Sequence, residues 1–157
     1  MIIGILVTAV TLSVGGDRRG EALARESQRF TALLRLAAEQ AVLRSEEWAV
    51  QIEPDRYRFL RLREELGEEP EWIPVAGDAL FRARELAAGT RLDLELEGRE
   101  MELTPEDEEA IKPTLLLLSS GEVSPFVAEF GARRSDSRFR VTSDLMGELE
   151  WERVEGL

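Results

Sequence analysis

The sequence predicts an α+β protein: a long N-terminal helix, first apolar and then amphipathic, followed by an antiparallel β-sheet or sandwich. Three observations carry this. Residues 1–53 contain no proline, and apolar residues recur there at helical spacing. From Trp48 onward the period changes from helical to two. Short alternating runs then follow one another with compact turns, the pattern of strands segregated after a helix rather than of βαβ units. At 157 residues and 43% apolar content, the chain has room for a genuine core and is not compositionally disordered. No internal repeat and no separate second globular domain is visible.

The elements divide at 1–16, 17–47 and 48–157. Residues 1–14 (MIIGILVTAVTLSV) carry no charge, and charge begins abruptly at Asp17-Arg18-Arg19, after Gly15-Gly16. Fourteen helical residues span only about 21 Å, short of the roughly 30 Å hydrocarbon core. A signal peptide would need a basic region ahead of the apolar run, which starts here at Met1. A helix buried in a globular core would show a polar outward face. The expectation is therefore the C-terminal part of a longer apolar helix whose start is missing, with Gly15-Gly16 a weak point or kink. In residues 17–47, Leu23, Phe30 and Ala37 recur at sevens, interleaved with Ser27, Leu34 and Ala41; Leu33, Leu36 and Val42 widen the stripe. This predicts an amphipathic helix packed on the domain that follows.

Within 48–157, Trp48–Ile52 and Tyr57–Phe59 flank the turn Glu53-Pro54-Asp55-Arg56. Residues 63–71 form an acidic loop, and 72–75 a short apolar segment. Arg91–Glu97 alternates strictly, with Leu92, Leu94 and Leu96 inward, and Gly98 turns the chain into Glu100–Leu103. Thr114–Leu118 is continuously apolar after its threonine, which predicts a central strand buried on both faces. Phe126–Phe130, Phe139–Thr142 and Glu148–Trp151 bring the expected count to between seven and nine.

Charge and residue usage narrow the chemistry. The formal charge is −12, from 32 acidic and 20 basic residues, and Lys112 is the only lysine. That balance argues against nucleic acid as a partner and against electrostatic docking on an anionic membrane. With no His and no Cys, histidine- and cysteine-dependent catalysis, zinc sites and disulfides are removed together. Glu106-Asp107-Glu108-Glu109, and Glu64-Glu65 with Glu68-Glu69, lack the spaced ligands of a calcium loop and read as solvated acids. Ser119-Ser120 near Lys112 lacks the S-x-x-K spacing, and Gly15-Gly16 lacks a following G-K-[ST]. Arg133, Arg134, Arg138 and Arg140 are the one basic concentration and read as an exposed hairpin. No catalytic residue, metal site or cofactor is expected, and the chain does not read as an enzyme.

Three segments, in order, resemble the H-type minor pseudopilins of type II secretion systems (GspH, also called XcpU). They are the apolar run IIGILVTAVTLSVGG; the segment ALARESQRFTALLRLAAEQAVLRSEEWAVQIEPDRYRFL; and Leu118-Ser-Ser-Gly-Glu-Val-Ser-Pro-Phe126. The resemblance implies a structural subunit set in the inner membrane by a single span, with its β-domain in the periplasm. It implies trimming by a prepilin peptidase where the full N-terminus is present, and handling by the inner-membrane assembly platform. It further implies stacking near the tip of a pseudopilus with other minor pseudopilins and the major pseudopilin, in support of the export of folded proteins across the outer membrane. On this resemblance Ile2, Ile3, Ile5, Leu6, Val7, Val10 and Leu12 are the assembly-helix residues. Ser119, Ser120, Gly121, Glu122, Pro125 and Phe126 form the family-like late loop. The family's Gly-Phe-Thr-Leu-x-Glu motif is absent from the residues given, so its glutamate is not placed. The alternatives are a minor pilin of a type IV pilus, and a secreted or membrane-anchored β-domain that binds a ligand or glycan.

Overall fold

The computed structural model describes residues 13–105 and 111–155. The expected assembly-helix residues Ile2, Ile3, Ile5, Leu6, Val7, Val10 and Leu12, and the acids Glu106 to Glu109, lie outside the described residues.

Helix α1 (Ser13–Arg44) is 32 residues long, about 48 Å, and runs through Gly15-Gly16. Its stripe is the one the sevenfold spacing marks: Leu23, Phe30, Leu33, Leu34, Ala37 and Ala41 are all buried. Two hydroxyls share that buried face, and both are satisfied. Ser27 Oγ donates to Ala24 O at 3.0 Å and Thr31 Oγ1 to Ser27 O at 2.8 Å. Trp151 Nε1 donates in turn to Ser27 Oγ at 2.8 Å, fastening the last strand to the helix. The helix stops in a Schellman motif: Glu46 N bonds Ala41 O at 3.1 Å and Ser45 N bonds Val42 O at 3.2 Å. Ser45 takes the left-handed conformation there, with φ 52°.

Among the described residues ten strands follow, all antiparallel, in two sheets. The first contains β1 (Trp48–Ile52), β2 (Arg56–Arg63), β3 (Glu71–Pro74), the two-residue β4 (Arg84–Glu85) and β7 (Leu115–Leu117). Its order is β3-β2-β1-β7, with β4 also paired to β2. The second contains β5 (Thr90–Leu96), β6 (Arg99–Met101), β8 (Phe126–Ala132), β9 (Arg138–Ser143) and β10 (Leu149–Val154), in the order β10-β9-β8-β5-β6. A helix followed by antiparallel sheets is the predicted fold class.

Phe30 is the point where the layers meet. Its ring lies edge-on to Tyr57 of the first sheet at 5.0 Å, and against Phe130 and Phe126 of the second at 5.4 and 6.5 Å. One helical side chain thereby joins both sheets to α1.

The expectation for Thr114–Leu118 needs correction. β7 is not a central strand buried on both faces. Of the named strands it pairs only with β1, and Leu116 is 37% exposed while Leu115 and Leu117 are buried. The strand buried on both faces is β1, which is flanked by β2 and β7. A leucine run signals an apolar environment, but its position within a sheet is set by pairing with distant residues. Here the chain covers its own edge. Leu117 bridges Val123, Ser124 N bonds Leu116 O at 3.0 Å, and Leu118 N bonds Glu122 O at 2.8 Å.

Candidate assembly surfaces

The late loop is the best-built of the segments the sequence singles out. Gly121 N bonds Leu118 O at 2.9 Å, closing a turn that Gly121 completes at φ 93°, where a side chain would be strained. Ser119 is held from across the chain: its backbone N and its Oγ donate to the two Glu47 oxygens at 3.1 and 2.5 Å. Glu47 stands between the end of α1 and the start of β1, so one carboxylate fixes the loop to the helix–sheet junction. Ser120 Oγ reaches Glu122 at 3.2 Å, and Pro125 O accepts Glu97 N at 3.1 Å. Phe126 is buried against Phe30. The six residues therefore split: Ser119, Ser120, Gly121 and Glu122 shape the surface turn, while Pro125 and Phe126 anchor it in the second sheet.

Around this turn lies an apolar cap that sequence reasoning missed. A Cβ at Gly121 would sit 3.9 Å from Val42 Cγ2, and one at Gly147 would meet Gly121 O at 3.1 Å. The end of α1, the late loop and the β9–β10 turn are thus neighbours. Four large side chains there face solvent: Val42 (46% exposed), Leu43 (77%), Leu145 (64%) and Met146 (83%). The turn that carries the last two is stiff, because Asp144 Oδ1 accepts from Met146 N and Glu148 N, both at 2.9 Å. The signal in the sequence was Asp144-Leu-Met-Gly147. Two bulky apolar residues in a tight Asp-to-Gly turn have no core to enter and remain exposed to solvent.

Near the middle of α1, Tyr57 OH donates to Glu26 Oε1 at 2.9 Å, and Arg29 Nη1 grips Glu26 Oε2 at 2.7 Å. Burial, and then the Glu26 carboxylate, push the Tyr57 phenol above its ordinary value near 10; Arg84 and Arg29 oppose this. A folded-state value above the unfolded one gives stability that is complete below pH 10 and lost as pH rises beyond it. The expected slope is about 1.4 kcal/mol per pH unit. Tyr57 is the only tyrosine. Phenolate absorbance should therefore appear only as the protein unfolds, and Tyr57→Phe should abolish most of the alkaline loss. Phenolate forming at pH 10 with the fold intact would contradict this.

The predicted basic hairpin is the β8–β9 turn. Arg133 and Arg134 are exposed in it, whereas Arg140 is engaged within the sheet by Glu129 and Glu152, at 2.7 and 3.1 Å. Among the described residues no group of three or more acidic side chains is placed to hold a metal ion. No helix among them is long and apolar enough to cross a membrane.

No family model matches the chain. It is 30% identical over 158 aligned residues to type II secretion system protein H of Aeromonas hydrophila, covering 95% of this chain and 85% of that one. It is 31% identical over 144 residues to the protein of the same name from Pseudomonas aeruginosa, covering 88% and 80%. Among solved structures, the minor pseudopilin EpsH of Vibrio cholerae superposes with a TM-score of 0.69 at 29% identity, over 87% of this chain and 96% of that one. The solution structure of Escherichia coli GspH shares the fold, with a TM-score of 0.60 at 18% identity, over 91% and 92%. The helix, the two sheets and these relatives agree: the chain belongs to the type II secretion system protein H family, the structural minor pseudopilins of that system.

Proposed function

We propose that this subunit stands near the tip of the pseudopilus, joins other minor pseudopilins to the major pseudopilin below, and catalyses no reaction. The proposal includes a single-pass anchor in the inner membrane and a periplasmic β-domain. Residues 1–16 serve as the C-terminal part of the membrane and filament helix, 17–47 as the helix packed on the domain, and 48–157 as the domain itself. The assembly platform is its handling partner, with the prepilin peptidase where the full N-terminus is present. The observation that carries the contact role is the apolar cap of Val42, Leu43, Leu145 and Met146, held around a late loop that Glu47 fixes in place. Apolar side chains on stiff turns bury area on contact with little loss of conformational freedom. The relatives favour neither the type IV pilus alternative nor the ligand-binding β-domain.

The double variant Leu43→Glu/Met146→Glu tests this. Each change removes about 2 kcal/mol of contact energy if the cap is a hot spot, on the order of 30-fold in subunit affinity. Secretion should fall sharply, while stability stays within about 0.5 kcal/mol because both side chains are exposed. Undiminished secretion by a stable double variant would count against the cap as a subunit contact.

A further inference from the structure

The charge of −12 conceals a segregation of arginines. At the end of the domain nearest the start of α1, four segments converge. A Cβ on Gly20 would lie 2.7 Å from Ser137 Oγ, so the β8–β9 turn rests on the first turns of the helix. Arg133 N bonds Gly89 O at 3.0 Å, and Leu86 N bonds Asp55 O at 2.7 Å, which brings in the segment before β5 and the β1–β2 turn. Two concavities open there. One, of about 460 Å³, is lined by Arg19, Arg25, Arg29, Arg133 and Arg134, with Glu26 as its one carboxylate. The other, of about 420 Å³, adds Arg56, Arg82 and Arg84 to the shared Arg29, with Glu85 as its one carboxylate.

Eight guanidiniums line the two concavities. Arg25 pairs with Glu21 at 3.8 Å, Arg56 with Glu53 at 2.6 Å and Arg29 with Glu26 at 2.7 Å, which leaves Arg19, Arg82, Arg84, Arg133 and Arg134 beside one further lining carboxylate, Glu85. Glu26 accepts from both Tyr57 and Arg29. Among the described residues, no ion pair engages Arg19, Arg82, Arg133 or Arg134. Arg84 Nε is buried and makes no hydrogen bond. The acids collect elsewhere, as in Glu64, Glu65, Glu68 and Glu69 between β2 and β3. A guanidinium left with donors unused is suited to phosphate, which its planar fork can grip with two parallel bonds.

We propose that this basic end seats the phosphate headgroups of anionic lipids, holding the domain against the bilayer surface before the subunit enters the filament. The inference rests on the reading that the apolar run ahead of α1 lies in the membrane. That run is uncharged through Gly16, and Asp17, Arg18 and Arg19 follow it directly. From Arg19 to Arg25 the helix rises about 9 Å, a little more than the roughly 5–8 Å depth of one headgroup layer. The β-domain adds Arg133 and Arg134 at the same level. An acidic face on another subunit would also attract arginines, but the position directly after the apolar run favours lipid.

The test is flotation of the full chain with vesicles of phosphatidylcholine alone, or of phosphatidylcholine mixed with phosphatidylglycerol. Binding to neutral vesicles reports the apolar run, and the anionic increment reports the arginines, so the two readings fail separately. Arg19→Gln/Arg133→Gln/Arg134→Gln should cut the anionic increment by about fivefold per arginine, on the order of 100-fold together. Arg44→Gln/Arg63→Gln/Arg99→Gln removes the same charge from the opposite end and should leave the increment in place. Equal loss in the two triple variants would overturn the proposal, as would the absence of any anionic preference. If the first triple variant kept its vesicle binding but lost filament assembly, the arginines would serve an acidic subunit face, and the lipid assignment would fall.

Discussion

Phe30→Ala is expected to lower the unfolding free energy by about 3–5 kcal/mol, a large share of the roughly 5–15 kcal/mol that holds a typical domain together. Phe30 is fully buried, and its ring contacts aromatic side chains of both sheets. Truncation leaves a cavity where three layers converge, and none of them can close it alone without breaking its contact with another. Urea denaturation monitored by circular dichroism reads the change directly. Leu43→Ala is the matched comparison on the same helix: its side chain is 77% exposed, and the change should cost no more than about 0.5 kcal/mol. A loss below about 1 kcal/mol for Phe30→Ala would mean that the helix is not the element uniting the two sheets.

Leu6→Asp, or Val10→Asp, is expected to abolish filament assembly and secretion while leaving the β-domain folded. The proposal places both residues in the uncharged run that leaves lipid for the filament core. An aspartate at the centre of a membrane helix costs about 2.5–3.5 kcal/mol on insertion, and an unpaired carboxylate among packed apolar helices costs several more. Among the described residues the domain's core begins at Leu23, 13 positions after Val10 in the sequence. The midpoint of domain unfolding should therefore match that of the parent chain. Normal secretion by either variant would sink the role given to the apolar run.

Much of the fold was legible because it is periodic. The sevenfold spacing of Leu23, Phe30 and Ala37 identified the buried face of α1, and the alternation of Leu92 and Leu94 identified the inward face of β5. What escaped depends on distant pairing. β7 reads as a central strand until Val123 and Ser124 are seen folding over its free side. The two-residue β4 owes its existence to pairing with β2 and has no pattern of its own. The surfaces divide in the same way. The late loop could be picked out as a segment, but its clasp by Glu47 joins positions 72 residues apart. Tyr57 and Glu26 likewise meet across 31 residues. Leu145 and Met146 were visible as letters, yet their exposure follows from a turn whose geometry Asp144 sets. The basic end was masked by the net charge, since a sum over the chain erases its distribution.

Assembly itself is best tested by cysteine cross-linking in cells that depend on this subunit for secretion. The chain has no cysteine, so Met146→Cys introduces a unique and exposed thiol beside the late loop. Mild oxidation or a short bifunctional reagent, applied against partner pseudopilins carrying a single cysteine, should yield discrete heterodimers in secreting cells. The same adducts should vanish when Leu6→Asp is added. Secreting cells in which the Met146→Cys chain reacts with no other pseudopilin would contradict an assembling subunit whose apolar cap meets its neighbours.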